Sequence, residues 1–88
     1  MTRKHITFRG SVQGVGFRRR ARRATALFYC TGWCRNEKDG SVTMELQGEK
    51  EHIDLVLLAI EAGKFVSIES MEVKTIPVDK TESGFVTE

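Results

Sequence analysis

Apolar and polar residues alternate over residues 5–10, HITFRG, with Ile6 and Phe8 on one side and Thr7 and Arg9 on the other. That period of two predicts a half-buried strand. From Phe17 the spacing changes. Phe17, Ala21, Ala24 and Phe28 recur at helical intervals and predict a helix with a narrow buried stripe. Residues 31–36, TGWCRN, predict a second strand, and Asp39-Gly40 in the following NEKDGSV is a strong hairpin-turn pair. Residues 41–48 alternate again, with Val42, Met44 and Leu46 facing inward. A second helix opens on Glu49 and Glu51, buries Ile53, Val56, Leu57 and Ile60, and stops at Gly63. Residues 68–76, IESMEVKTI, predict a fourth strand with Met71 and Val73 as its core pair, ended by Pro77. Residues 84–88 read as a short terminal strand or an extended tail.

The order is β-α-β-β-α-β. Right-handed crossovers then put both helices on one face of an antiparallel sheet, a ferredoxin-like α+β sandwich whose other sheet face is open. Residues 1–88 suffice for one domain. No apolar run approaches the roughly 18 residues of a membrane span, and no stretch of signal-peptide type opens the chain, so the cytoplasm is expected. Cys30 and Cys34 on one extended segment would lie about 13 Å apart, too far for a disulfide. With only His5 and His52 besides, zinc-like spacing is absent. Buried thiols, no metal and no cofactor are the expectation.

Net charge changes the picture more than composition does. Residues 1–36 hold nine basic residues and no acidic one, whereas residues 37–88 hold five basic and twelve acidic. Five of the arginines, Arg18, Arg19, Arg20, Arg22 and Arg23, fall in the first predicted helix, three of them in its first turn. A helix N-terminus already carries partial positive charge and favours anions. The placement is explained if something negative binds there, or if the helix is a plain basic face.

The residues before the helix suit the first explanation as well as they suit a plain turn, in which glycines serve only to form the bend. In GSVQGVGFR (10–18), Gly10, Gly14 and Gly16 allow close backbone approach and positive φ, so that several N–H groups can point at one anion. Arg18 adds a planar fork of donors matched to phosphate oxygens. The nucleotide P-loop does not fit, since no Gly-Lys-Ser/Thr follows, and the dinucleotide fingerprint lacks its third glycine at Arg19. Arg19, Arg22 and Arg23 point away from the buried stripe and read as a solvated face. Asn36, at the end of the second strand, is by type a turn residue. His5 and His52 have no nucleophile at a defined spacing.

Together, GSVQGVGFR (10–18) and GWCRNEKDGSV (32–42) resemble the signature of the acylphosphatases, small ferredoxin-like enzymes that hydrolyse the mixed anhydride of a carboxylic acid and phosphate. The first block is matched at Val12, Gln13, Gly14, Val15, Gly16, Phe17 and Arg18. The second is matched at Gly32, Trp33, Asn36, Asp39, Gly40 and Val42. The resemblance implies that phosphate is bound by the backbone N–H groups of Gln13, Gly14, Val15, Gly16, Phe17 and Arg18 and by the Arg18 side chain. It implies that Asn36 positions the attacking water, making Arg18 and Asn36 the catalytic pair. The expected substrate is an acyl phosphate, the products are a carboxylate and inorganic phosphate, and the protein is a monomer without metal. Three departures stand out: Cys34 for valine, Arg19 and Arg20 for aromatic or apolar residues, and Gly63-Lys64 for Gly-Pro.

The alternative is a non-catalytic anion- or nucleic-acid-binding module of the same fold. RNA-binding domains of this topology stack bases on aromatic residues of the third strand. Here its outward residues are Thr43, Glu45 and Gln47, so nucleic acid is not the expected partner.

Overall fold

The computed structural model describes residues Met1–Glu88. Its elements are β1 (Thr2–Ser11), α1 (Phe17–Leu27), β2 (Thr31–Asn36), β3 (Val42–Gly48), α2 (Lys50–Glu61), β4 (Ser67–Ile76) and β5 (Phe85–Thr87). The sheet order is β4-β1-β3-β2-β5. The first four strands pair antiparallel, as expected of a ferredoxin-like fold, and β5 adds a parallel edge beside β2. The sheet is therefore mixed rather than purely antiparallel.

Register sorts the side chains. Ile6 lies opposite Met44, Phe8 opposite Val42, and Cys34 opposite Met44, so these residues share the face beneath the helices. All five are fully buried. From α1, Phe17 meets Phe8 edge-to-face at 4.9 Å, and from α2, Ile53, Val56 and Ile60 close the layer.

Three expectations are corrected. Met71 and Val73 do oppose Phe8 and Ile6, yet they are 44% and 46% exposed, because β4 is an edge strand beyond the reach of the helices. Phe28 follows the end of α1 and is only half-buried, while Thr25 is buried in its place, its hydroxyl donating to the Arg22 carbonyl at 3.0 Å. The face away from the helices is not open along its whole length. Arg3 lies buried there, bonded to Glu45, Gln47 and Glu82. Gln47 exchanges two hydrogen bonds with the backbone of Asp79, so the segment joining β4 to β5 is tied across this face. Backbone pairing carries β1 back to Thr2, opposite Gly48 and ahead of the apolar alternation.

Gly32 shows why the second sequence block needs its glycine. Its φ is +148°, and a Cβ there would run into the backbone carbonyl of Glu45 on the neighbouring strand. Both thiols are free and buried, and burial pushes each up to about 11.

Candidate active site

The turn from β1 into α1 is built by two left-handed residues, Gly14 at φ +71° and Gly16 at φ +82°. Gly16 occupies the N-cap position and supplies no side chain to cap the helix, and the first turn of α1 has no acidic residue. The first helical bond is donated by Arg20 to the Gly16 carbonyl. The backbone N–H groups from Gln13 through Arg19 donate to no acceptor within the chain. Such a run of free donors at a helix start is an anion-binding arrangement.

A cleft of about 230 Å³ opens over this turn, lined by Val12, Gly14, Gly16, Phe17, Arg18, Arg19 and Asn36. Asn36 is exposed, with its side-chain amide engaged by no other residue. It lies opposite Val42 in the β2–β3 register, which turns it to the helix side of the sheet and toward the mouth of the turn. Of the predicted binding residues, Gln13 and Val15 do not line this cleft with the others. Val15 packs on the core.

Gln13 does something the sequence did not announce. Its side-chain amide donates to the carbonyl of Glu37 at 2.7 Å and to that of Ser41 at 2.8 Å. It therefore fastens the glycine turn to the hairpin that carries Asn36. The hairpin is braced within itself as well. Asp39 accepts from the Ser41 hydroxyl at 2.6 Å and the Ser41 N–H at 3.0 Å, and pairs with Arg9 at 3.1 Å. The Ser41 hydroxyl and N–H, with Arg9, hold the Asp39 carboxyl down at about 2. Hydrogen bonds from Thr43 and Arg35 likewise hold Glu37 below the usual carboxylate range. The carboxylates that follow Asn36 are thus already engaged, and no histidine or carboxylate lines the cleft.

The arginine run splits by destination. Arg18 donates from Nη1 to the backbone oxygen of Glu88 at 2.8 Å and borders the cleft. Arg20 leaves the site altogether, its Nε bonding the Ala59 carbonyl of α2 at 3.0 Å, so it ties the helices together rather than adding to the field at the turn. Arg22 is not simply solvated: it donates to Thr87 Oγ1 at 2.7 Å and, with Arg18 and Arg19, lines a second cleft beside the first. The signal for Arg22 was its position four residues after Arg18, which puts both on one helix face. Thr87, from the far end of the chain, carried no signal.

The two-layer α+β fold, with free amides and a guanidinium at the start of its first helix, is that of a ferredoxin-like protein. Comparison with known proteins narrows this further. A family model described as acylphosphatase matches residues 4–87. Acylphosphatases of Oceanobacillus iheyensis and Geobacillus kaustophilus are 43% and 38% identical over 91% and 97% of this chain, covering 90% and 92% of their own lengths. The crystal structure of acylphosphatase from Bacillus subtilis superposes with a TM-score of 0.90 at 25% identity, covering 100% of this chain and 99% of that one. The chain belongs to the acylphosphatase family, enzymes that hydrolyse acyl phosphates.

Proposed function

We propose that this cleft hydrolyses the carboxyl–phosphate bond of acyl phosphates, with the backbone N–H groups of Gln13 to Arg18 and the Arg18 guanidinium holding the phosphoryl oxygens and Asn36 orienting the attacking water. The observation that carries this reading is the meeting of the unpaired amides, Arg18 and Asn36 at one cleft. Charge stabilisation and alignment are what phosphoryl transfer demands above all. As water attacks phosphorus, the bond from phosphorus to the carboxyl oxygen breaks and the carboxylate departs with the electron pair. A carboxylic acid has a pKa of about 4, so its anion leaves without a proton and the site needs no general acid. The proton of the attacking water passes to a phosphoryl oxygen, giving inorganic phosphate.

Hydrolysis of benzoyl phosphate by the purified chain in excess chelator tests the reading. Turnover should persist in chelator. Arg18→Ala should lower kcat/KM by about 10²–10³-fold and weaken phosphate binding. Asn36→Ala should lower kcat by about 100-fold or more while phosphate still binds, because only the water loses its partner. Loss of phosphate binding in Asn36→Ala would overturn that division of labour. Residues 1–88 act as one domain, a cytoplasmic monomer, and sedimentation at 10.0 kDa checks the oligomeric state.

A further inference from the structure

Next to the proposed phosphoryl cleft lies a second one, lined by Arg18, Arg19, Arg22 and Thr87 and by no apolar residue. The two clefts share Arg18 and Arg19, so the second lies directly beside the first. Arg22 stands four residues after Arg18 and three after Arg19 on α1, spacings at which like charges repel, and Arg18 and Arg19 fall in the first turn, where the dipole disfavours cations. None of the ion pairs of the molecule involves any of the three. The phosphoryl group takes the turn amides and Arg18. That leaves the Arg19 and Arg22 guanidiniums with no anion to answer them.

From this we infer that the second cleft is a subsite for an anionic group on the acyl part of the substrate, a carboxylate or a further phosphate held by Arg19 and Arg22. The inference rests on the first cleft being the phosphoryl site. An apolar acyl group would find no apolar wall here, whereas a second anion would relieve the repulsion among the three guanidiniums and gain charge-assisted hydrogen bonds. A nucleic-acid backbone is the other polyanion this helix could meet, but the adjacency of the two clefts favours one small ligand reaching both. Thr87, donated to by Arg22, fixes that guanidinium at the cleft edge.

Two non-hydrolysable phosphonates separate this inference from the turnover reading: benzylphosphonate, and 4-carboxybenzylphosphonate, which adds a carboxylate at the far end. Calorimetric titration should show the carboxylate form binding about tenfold more tightly to the unaltered protein at low salt. Arg22→Gln should erase that advantage and Arg22→Lys should keep part of it, since a charge remains. Replacing the carboxylate by a phosphonate distinguishes the two anion types by which gains more. Equal affinity for the two phosphonates, or an advantage untouched by Arg22→Gln, overturns the subsite. Benzoyl phosphate turnover is measured in parallel: its absence counts against the hydrolase reading, while the phosphonate ratio still decides the subsite.

Discussion

Gln13 illustrates how much can depend on one side chain outside the cleft. Its amide group satisfies two hairpin carbonyls at once and so sets the distance between the glycine turn and Asn36. Gln13→Ala should destabilise the fold by about 1–2 kcal/mol, the cost of losing two hydrogen bonds to carbonyls that keep only their backbone donors, Gly40 and Glu37. Gln13→Glu should be worse than alanine, because a carboxylate would face two carbonyl oxygens. Urea denaturation compares the stabilities. The kinetics should show kcat falling in both variants while phosphate binding holds, because the amides of the turn are intact and only their alignment with Asn36 is loosened. The resemblance assigned Gln13 to phosphate binding through its backbone. Its side-chain role was illegible in the sequence, since its partners are carbonyl groups 24 and 28 residues away and carbonyls belong to every residue type.

At the scale of elements, the β2–β3 hairpin is the part whose behaviour should follow pH. The Asp39 carboxyl is depressed from its ordinary 3.8 to about 2 by Ser41 and Arg9. A depressed carboxyl contributes stability that is fully present above its unfolded value and lost as pH falls through the folded one. The hairpin's support should therefore weaken between about pH 4 and pH 2. Asp39→Asn should remove that part of the acid dependence, read as the change in urea midpoint between pH 5 and pH 2.5. An unchanged slope in the variant would mean that other carboxylates govern acid unfolding. The hairpin itself was legible from Asp39-Gly40 and the alternation of Val42, Met44 and Leu46. The exposure of β4 was not: alternation gives the direction of Met71 and Val73, but only sheet order tells that nothing covers them.

For the molecule as a whole, the buried Arg3 joins three distant segments. It bonds Glu45 on β3 at 3.0 Å and Glu82 at 2.7 Å, with its side chain 5% exposed. Burial acts to raise the Glu45 carboxyl, but hydrogen bonds and charge from His5 and Arg3 outweigh it, and the net displacement is downward. Arg3→Ala would strand two part-buried carboxylates and should cost about 3–5 kcal/mol. At about 4–8 °C per kcal/mol for a domain of this size, thermal unfolding monitored by circular dichroism would register it plainly. A drop of under 5 °C would show that water replaces the guanidinium and that the face is wetter than its burial suggests. The site lies at the opposite end of β1 from Arg3, so phosphate binding at low temperature should survive the substitution.

What the amino-acid sequence determined by itself was local. Periods of two and 3.6 specify strands and helices through the face each buries, and the glycines at 14 and 16 specify left-handed backbone wherever the chain goes next. The asymmetry of charge raised the expectation of an anionic partner before any fold was known. Arg18 stood out from its place beside the glycine turn; tertiary structure alone decided where the other helix arginines would lead. Their side chains are chemically identical, so only the position of α2 could take Arg20 to the Ala59 carbonyl, and only the return of β5 beside β2 could set Thr87 against Arg22. Burial of Arg3 belongs to the same class. A charge enters the interior only where partners from remote segments converge, and that convergence is a property of the assembled sheet.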